Sequence, residues 1–337
     1  MSNILITGGA GFMGSHLVRA LVSAEEFANC RLTVLDDLSG GFRENIPVDP
    51  RIDFIIGSIT NVALVDQLFE ERRFEYVYHL AAYAAEGLSH FIRRFNYTNN
   101  LLGTVNLING AIKAESKCFV FTSSIAVYGA AQVPMLETTA PRPEDPYGIA
   151  KYAVELDLHA AHEMYGLNYV IFRPHNVYGE YQNIGDRYRN VIGIFMNQIL
   201  QGKPMTIFGD GEQQRGFSHV SEVIPIIARA PLVERARNQV FNVGADRPYT
   251  INALATHVAK AMGVTPDVAH LLARNEVVAA YSDHGKCHDI FGPPGTVSLA
   301  DGLQTMADWV KSVGARKSRE FDNIEIRRGL PPSWVSH

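Results

Sequence analysis

Residues 4–14 read Ile-Leu-Ile-Thr-Gly-Gly-Ala-Gly-Phe-Met-Gly, an apolar run that ends in a glycine-rich turn, and a helical pattern begins directly afterwards. Gly9, Gly11 and Gly14 match the spacing of dinucleotide-binding turns, and starting instead from Gly8 gives a variant with two residues between each glycine. Because glycine has no Cβ, such a turn lets backbone N–H groups approach a pyrophosphate, and the helix adds the partial positive charge of its N-terminus. The stretch therefore predicts the first strand, turn and helix of a parallel α/β sheet that binds a dinucleotide.

Asp36 closes the second predicted strand, at about the 20-residue distance from the glycines that this type of site requires. A carboxylate at this place accepts hydrogen bonds from ribose hydroxyls and repels a 2′-phosphate. Residues 37–41 read Asp-Leu-Ser-Gly-Gly and contain no Arg or Lys that could hold such a phosphate. The sequence therefore predicts NAD rather than NADP as the cofactor.

Short apolar strands alternate with helical patterns throughout the first half of the chain. We predict strands at 4–7, 32–36, 54–57, 76–81, 118–123 and 169–173, and helices at 15–23, 62–71, 99–113 and 151–165. These strands are apolar enough to be covered on both faces, as in parallel sheets. The predicted fold class is α/β, a doubly wound parallel sheet of the Rossmann type.

The alternation of strands and helical patterns ends after about residue 174. Beyond it, loops rich in Gly, Pro and Asn separate helical patterns at 190–201, 221–230, 251–262 and 299–313. We predict an NAD-binding domain over 1–174, completed by some later segments, and a smaller substrate-binding lobe over 175–316. The remainder, 317–337, is charged and then interrupted by prolines, which predicts a surface tail.

Composition excludes several classes of protein. The 337 residues are 47% hydrophobic and 19% charged, as in globular proteins, and the net charge of −5 argues against nucleic acid as a partner. The three cysteines, Cys30, Cys118 and Cys287, are too few and too far apart for a disulfide framework. No signal peptide and no long apolar segment are recognisable, so we expect no membrane association and a cytoplasmic location.

Tyr147 and Lys151 follow Pro146, which favours the first turn of a helix, and their spacing places the phenol and the ammonium on one helix face. The pKa of a free tyrosine is about 10, but a neighbouring ammonium and a nicotinamide cation would both favour the phenolate. Ser123 is the last residue of the fifth predicted strand and Ser124 follows it, at the carboxyl end where doubly wound sheets bind ligands. Ser124, Tyr147 and Lys151 are therefore the predicted catalytic residues, and proton transfer is their predicted chemistry.

Together these motifs resemble the extended short-chain dehydrogenase/reductase superfamily, and within it the NAD-dependent nucleotide-sugar epimerases of the UDP-glucose 4-epimerase type. The resemblance covers nearly the whole chain. It extends to His-Leu-Ala-Ala at 79–82, Tyr-Thr-Asn-Asn at 97–100, Arg-Pro-His-Asn-Val-Tyr-Gly at 173–179 and Ile-Phe-Gly-Asp-Gly at 207–211.

The resemblance implies epimerisation at C4 of a nucleotide sugar, UDP-linked in the first instance, through a transient 4-keto intermediate. It also implies a homodimer, in which the helices at 99–113 and 151–165 pair with those of a second subunit. The implied cofactor contacts are Gly8, Gly11, Phe12, Met13, Gly14, Asp36, Ser58, Ile59, Leu80, Ala81, Ala82, Asn99, Ser123, Tyr147, Lys151 and Arg173. The implied substrate contacts are Ser124, Tyr147, Asn176, Asn190, Arg215 and Arg274.

The sequence departs from the family pattern in three places. Ser58 stands where relatives usually have Asp to hold the adenine, Gly216 stands where Asp is common, and Ser221 and Glu222 replace a more usual Asp pair. We therefore expect a weaker or replaced adenine contact and an altered loop beside Arg215.

Two other functions stay open as alternatives. Dehydratases of this superfamily carry Asp-Glu after the strand-end hydroxyl, whereas Ile125 and Ala126 follow Ser124 here and cannot transfer protons, which favours epimerisation over elimination. Dehydration and decarboxylation of a nucleotide sugar stay together as the first alternative. A non-catalytic dinucleotide-binding regulator is the other alternative, although such proteins commonly lose the Tyr or the Lys. The cluster of His, Lys, Cys and Asp at 284–289 matches no familiar metal spacing, and we expect no metal.

The sugar and the base stay open. In UDP-sugar epimerases, one residue beyond the substrate-lobe arginine controls the room for an N-acetyl group. Counting from Arg274 selects Tyr281 and a narrow pocket, whereas counting from Asp283 selects Ala280 and a wide one. Glucose, N-acetylglucosamine, glucuronate and pentose derivatives all remain candidates.

Overall fold

The computed structural model describes residues 2–274, 276–317 and 321–334. Its strands are β1 (Ser2–Thr7), β2 (Cys30–Asp36), β3 (Ile52–Ile56), β4 (Tyr76–His79), β5 (Cys118–Thr122), β6 (Tyr169–Pro174), β7 (Val177–Tyr178), β8 (Met205–Phe208), β9 (Gln214–Gly216), β10 (Ser218–His219), β11 (Gln239–Val243), β12 (Pro248–Thr250), β13 (Val268–Leu271) and β14 (Ala279–Ala280). Its helices are α1 (Phe12–Ser23), α2 (Val62–Arg72), α3 (Glu86–Ser89), α4 (Arg93–Tyr97), α5 (Gly103–Lys113), α6 (Pro146–Tyr165), α7 (Val191–Leu200), α8 (Val220–Arg229), α9 (Ile251–Met262), α10 (Gly285–Phe291) and α11 (Leu299–Val313).

Seven of these strands form the central sheet in the order β11-β6-β5-β4-β1-β2-β3, and every neighbouring pair is parallel. Because all seven run in one direction, their carboxyl ends lie at a single edge. The sequential order reverses on either side of β1, and such a switch point opens a crevice for a ligand.

Helices cover both faces of the sheet, which explains why its strands are so apolar. On one face, α1 and α8 pack against the inward side chains of β1, β2 and β6. On the other face, α2, α5 and α6 pack against the alternate side chains of β1, β4 and β5. A separate core in the second lobe is formed by α7, α9 and α11.

The α/β class, the parallel sheet and the six predicted strands are confirmed, with small shifts in their bounds. The seventh strand, β11, comes from within the predicted lobe and pairs with β6 along its whole length. Its five residues, Gln-Val-Phe-Asn-Val, form too short an apolar run to be assigned to this sheet from sequence.

The helix predicted at 99–113 begins earlier in the structure. It continues from α4 through a π-helical turn at Thr98–Leu102 into α5. Such turns are rare and frequently occur at functional sites. Here the turn contains Asn99, one of the predicted cofactor contacts.

Most residues of the described tail, 321–334, are exposed, while its apolar residues pack against the first domain. These apolar residues join a small cluster with α3 and α4, and Trp334 is only 6% exposed. Charge and prolines predict the exposure but not the contacts of four widely spaced apolar residues, Phe321, Ile324, Leu330 and Trp334. Residues 318–320 and 335–337 of the predicted tail lie outside the described part of the chain.

None of the helices in the described ranges is both long and apolar enough to cross a membrane.

Candidate active site

A cavity of about 1190 Å³ lies where the carboxyl edge of the central sheet faces the second lobe. Among its lining residues are those predicted to contact cofactor or substrate, with one exception, Arg173. The lining includes Gly8, Gly11, Phe12, Met13, Gly14, Asp36, Ser58, Ile59, Leu80, Ala81, Ala82, Asn99, Ser123, Ser124, Tyr147, Lys151, Asn176, Asn190, Arg215 and Arg274. Positions scattered over more than 260 residues of sequence are therefore brought to one space.

The turn between β1 and α1 forms a cradle that requires glycine. Gly8 has a φ of +73°, and a Cβ on it would lie 2.6 Å from the backbone nitrogen of Ala81. A Cβ on Gly14 would overlap the carbonyl group of Gly8. The N-cap of α1, Gly11, offers no side-chain acceptor to the N–H groups of the first helical turn. This part of the chain therefore fits the pyrophosphate of a dinucleotide.

Asp36 is held at the cavity wall by two backbone hydrogen bonds. Its Oδ2 accepts from the N–H of Ala10 at 2.9 Å, and its Oδ1 accepts from the N–H of Leu38 at 2.8 Å. Burial raises the pKa of Asp36, and the two backbone bonds act in the opposite direction. Each carboxylate oxygen has a further lone pair that can accept from a ribose hydroxyl.

Helix α6 carries Tyr147 into the cavity. Asp145 caps the helix, because its Oδ1 accepts from the N–H of Gly148 at 2.9 Å. A Cβ on Gly148 would lie 2.6 Å from the carbonyl oxygen of Ala126. Glycine at this position therefore lets the first turn of α6 approach the turn after β5, where Ser124 lies.

Lys151 lies one helical turn beyond Tyr147 and is buried. Its Nζ donates to the carbonyl oxygen of Thr122 at 2.8 Å and lies 5.8 Å from the centroid of the Tyr147 ring. Burial lowers the pKa of Lys151 to about 7, and the charge of Glu155 opposes this shift.

The Tyr147 phenol is also enclosed. Burial raises its pKa above the ordinary value, and hydrogen bonding with Ser124 acts in the opposite direction. The Ser124 hydroxyl also accepts from the N–H of Ala126 at 3.1 Å, which fixes its place at the end of β5. The chain's own groups therefore favour a protonated phenol at neutral pH.

Arg173 is placed behind the cavity wall, which corrects its assignment as a cofactor contact. Its Nε donates to Glu155 at 2.9 Å, and its guanidinium lies 4.7 Å from the centroid of the Tyr128 ring. Successive side chains of a strand point to opposite faces, and it is the next residue, Pro174, that lines the cavity. Arg173 neutralises a buried carboxylate that also accepts from the Ser123 hydroxyl.

Two guanidinium groups occupy the lobe side of the cavity. Arg215 donates to Glu276 at 3.3 Å and to the carbonyl oxygen of Val277 at 2.6 Å. Arg274 donates to the same oxygen of Glu276 at 3.4 Å and stacks over the Phe208 ring at 4.5 Å. Two positively charged guanidinium groups share the single negative charge of Glu276, which leaves a net positive charge. This arrangement suits a diphosphate, since a guanidinium group matches the geometry of phosphate oxygens.

Asn176 lies beside them in a left-handed conformation, with a φ of +37°. Its Nδ2 donates to the carbonyl oxygen of Gly216 at 3.0 Å. A Cβ on Gly216 would lie 2.5 Å from the ring of His175, which explains the glycine at a position where the family commonly has Asp. Asn190, also left-handed, occupies the N-cap position of helix α7 at the cavity wall without a side-chain capping hydrogen bond.

Glu86, at the start of α3, is a lining residue that sequence reasoning missed. Its carboxyl group is open to the cavity, yet enclosure by the surrounding protein raises its pKa to about 7, with the charge of Asp145 acting in the same direction. Arg215 and Arg274 act in the opposite direction. Its place soon after the fourth strand, at the ligand-binding edge, was the available signal.

Trp334, from the tail, is the second lining residue that sequence reasoning missed.

The sequence left open whether Ala280 or Tyr281 faces the sugar. Ala280 belongs to the lining and is 8% exposed, whereas Tyr281 is absent from the lining residues. The alternation of side chains after β14 decides between the two neighbours.

In the described part of the chain, no three His, Cys, Asp or Glu side chains are placed to hold a metal ion. His284, from the cluster at 284–289, lies instead 2.5 Å from Asp246 and 3.1 Å from His175.

This geometry is that of an extended short-chain dehydrogenase/reductase, an enzyme class that binds NAD at the carboxyl edge of a parallel sheet. The chain belongs to the NAD-dependent epimerase/dehydratase family, whose model matches residues 4–244. The predicted family and cofactor are thereby confirmed.

Known proteins similar to this chain include both kinds of enzyme in the family's name. A putative UDP-glucose 4-epimerase of Methanocaldococcus jannaschii is 32% identical over 313 residues, which are 92% of this chain and 98% of that protein. The structure of UDP-glucose 4-epimerase from Thermotoga maritima with UDP-glucose has a TM-score of 0.84 and 34% identity, and the match covers 92% of this chain and 99% of that one. The dTDP-glucose 4,6-dehydratase DesIV from Streptomyces venezuelae, with NAD bound, also has a TM-score of 0.84, at 28% identity and with 92% and 97% of the two chains covered.

Proposed function

We propose that this enzyme inverts the configuration at C4 of the sugar in a nucleoside-diphosphate sugar, through a transient 4-keto intermediate. The observation that carries the proposal is the shared cavity. Ser124, Tyr147 and Lys151 line the same space as the Arg215 and Arg274 guanidinium groups, so a diphosphate held by the arginines can present its sugar to the phenol.

In the proposed reaction Tyr147 accepts the proton of the C4 hydroxyl and later returns it. The Ser124 hydroxyl forms hydrogen bonds with both the C4 oxygen and the phenol oxygen of Tyr147. Bound NAD⁺ would supply reversible acceptance of a hydride from C4 and, through its positive charge, favour ionisation of Tyr147. The positive charge of the Lys151 ammonium group stabilises the phenolate electrostatically. Arg215 and Arg274 retain the diphosphate while the sugar turns its other face, so binding energy remote from C4 keeps the intermediate in the cavity.

Dehydration of a nucleotide sugar is the second candidate, and Glu86 is the observation that favours it. A carboxyl group with a pKa of about 7 on the cavity wall could transfer a proton during elimination. The segment after Ser124 argues against it, because Ile125 and Ala126 line the cavity there and cannot act as acid or base. We therefore place epimerisation first.

For the sugar, we propose that the enzyme accepts an N-acetyl group at C2. Support comes from Ala280, whose methyl group lines the cavity and leaves room that a tyrosine ring would fill. A UDP-linked N-acetylhexosamine is therefore the preferred substrate, with the unsubstituted hexose also accepted.

The test is a panel of UDP-glucose, UDP-N-acetylglucosamine, UDP-glucuronate and UDP-xylose, incubated with the NAD-loaded enzyme and analysed by chromatography. We expect the 4-epimer of the N-acetylhexosamine to form and to reach an equilibrium without net consumption of NAD. A 6-deoxy-4-keto product would transfer the assignment to dehydration, and no change in any sugar would reject both.

We further propose that the active form is a cytoplasmic homodimer. Cys30, Cys118 and Cys287 are buried as free thiols, which suits a reducing compartment. Apolar side chains exposed on α6 and on the turn before α5 support the pairing of these helices with a second subunit.

A further inference from the structure

We propose that the segment 321–334 closes the substrate half of the cavity and that Trp334 contacts the nucleoside diphosphate directly. The inference rests on the proposed function for its class of ligand. It adds a binding residue from a part of the chain beyond residues 4–244, which the family model matches.

Trp334 belongs to the diphosphate side of the cavity. It lines the cavity, with its ring centroid 6.4 Å from that of Phe208, and the Arg274 guanidinium lies 5.9 Å from the indole. Arg274 also stacks over Phe208, so the cation is flanked by two aromatic rings. An aromatic side chain beside a phosphate-binding cation is suited to a nucleotide, whose base contacts the part of the ring that lines the cavity while its phosphates pair with the cation.

The indole also bridges the two walls of the cavity. On the side of the first domain it makes an edge contact with Phe91 at 6.2 Å, and a Cβ on Gly87 would lie 3.3 Å from it. On the lobe side it makes an edge contact with Tyr188 at 5.3 Å. A residue that touches both walls at the cavity lining restricts how far the two walls can separate.

The segment that carries Trp334 is attached at both of its ends. At its start, Phe321 packs against Phe95 at 4.8 Å and Tyr83 at 5.4 Å. Next, the Glu325 carboxylate accepts from the backbone N–H groups of Arg94 and Phe95, each at 2.9 Å, at the beginning of α4. At its end, the carbonyl oxygen of Ser333 accepts from Arg187 at 2.9 Å. These contacts fix the position of the indole before any nucleotide arrives.

The chain's two tryptophans allow a direct readout. Trp309 lies on α11 and is absent from the cavity lining, so Trp309→Phe leaves Trp334 as the single fluorescent indole. The NAD-loaded variant is titrated with UDP, dTDP, CDP, GDP and ADP, and binding is measured in parallel by calorimetry. We expect the tightest ligand to change the emission of Trp334 with the same saturation curve as the heat. Binding that leaves the emission unchanged, or no binding of any of the five, would contradict the proposal.

Affinity gives the second readout. Trp334→Ala should weaken binding of that nucleoside diphosphate by about tenfold, the effect expected of one lost contact between an aromatic ring and a base. Trp334→Phe should retain most of the affinity because it keeps an aromatic ring. The matched control is Ile326→Ala, which truncates a side chain that is 41% exposed and absent from the lining, and it should bind as the wild type does. Equal weakening by Ile326→Ala, or no weakening by Trp334→Ala, would show that Trp334 has no direct contact.

These measurements separate the inference from the proposed function, because binding of a nucleoside diphosphate requires no turnover. If Trp334 responds but no sugar is epimerised, the nucleotide contact stands and the reaction assignment fails. If epimerisation is observed but Trp334 does not respond, the inference alone fails.

Discussion

At the scale of single residues, the surroundings of Tyr147 and Lys151 define what the proposed chemistry needs. Burial raises the pKa of the phenol and lowers that of the ammonium to about 7, so enclosure disfavours the charged form of both. The hydrogen bond with Ser124 and the charge of Arg189 lower the pKa of the phenol, but they offset only part of the effect of burial. Ionisation of Tyr147 therefore depends on the cofactor charge described above, which would couple proton transfer to cofactor binding.

Replacing Tyr147 by phenylalanine tests its role as the base. Tyr147→Phe should reduce kcat by at least about a hundredfold, since a positioned acid or base contributes about that much or more. The NAD content of the purified protein should stay unchanged. Tyr152→Phe, on the same helix but outside the cavity lining, is the control. Comparable turnover in the two variants would remove Tyr147 from the mechanism.

Glu86 predicts a pH dependence of substrate binding. With a pKa of about 7, its carboxyl group is mainly neutral below that pH and negatively charged above it. The charge repels the diphosphate that Arg215 and Arg274 attract, so affinity should fall by about threefold as the pH rises through neutrality. Calorimetric titration with UDP-glucose in the Tyr147→Phe background, which suppresses turnover, measures this.

The comparison variants are Glu86→Gln, in which the fall should disappear, and Glu163→Gln, in which it should persist. Glu163 lies on α6 outside the cavity lining. A pH profile that is the same in all three proteins would exclude Glu86 as its source.

The direction of the Arg173 side chain could not be predicted from sequence. Its position at the end of a strand beside the predicted site was correct, but the face to which it points depends on register and packing. The partner that draws it away, Glu155, lies two helical turns beyond Tyr147 in a helix whose face toward the sheet cannot be read from residue type. Tyr147 and Lys151 could be grouped from sequence because they lie one helical turn apart, and Ser124 could be added because it lies at the carboxyl end of a strand.

At the scale of elements, the close approach of α6 to the turn after β5 brings Ser124, Tyr147 and Lys151, the proposed catalytic residues, together. The approach is possible because Gly148 has no Cβ to meet the carbonyl oxygen of Ala126 at 2.6 Å. Asp145 fixes the same helical turn through its cap. The position of the phenol therefore depends on one glycine and one cap.

Gly148→Ala should displace the first turn of α6 and with it Tyr147. We expect kcat to fall more than about tenfold and the free energy of unfolding to drop by about 1–3 kcal/mol, as for other overpacked sites. Gly166→Asn at the other end of α6 is the control, because that residue is left-handed with a φ of +73° and a Cβ there meets nothing within 4 Å. Kinetics and thermal unfolding that match between the two variants would contradict this view of Gly148.

The predicted elements were those that local patterns determine. Six strands with their helices follow from hydrophobic periodicity, whereas β11 is recognisable as a sheet strand only through its pairing with β6, which lies far away in sequence. The π-helical turn before α5 could not be predicted from sequence either, because Asn99 and its neighbours fit an ordinary helical pattern.

At the scale of the whole molecule, the cavity is enclosed from three directions. The sheet edge supplies the cofactor cradle, the second lobe supplies the guanidinium groups, and the tail supplies Trp334. The tail could not be placed from sequence, because a few apolar residues among many charges carry no period. Its placement depends on a cluster with α3 and α4 that exists only in the folded chain.

The same scale gives a prediction about assembly. Leu102, Ile149 and Leu156 are 57%, 40% and 53% exposed on neighbouring helical segments, which is unfavourable for an isolated subunit. We expect a dimer in sedimentation velocity for the wild type and a monomer for Leu156→Glu. Val48→Glu, at an exposed position in a loop of the first domain, should remain a dimer. A monomeric wild type, or a dimeric Leu156→Glu protein, would contradict the proposed pairing.

The origin of the C4 hydrogen in the product tests the proposed chemistry most directly. The NAD-loaded enzyme is allowed to convert its nucleotide sugar in deuterium oxide, and the product is examined by NMR and mass spectrometry. We expect a 4-epimer that keeps the substrate's own hydrogen at C4, because the hydride that leaves C4 is the hydride that returns to it. Deuterium at C4 would contradict it.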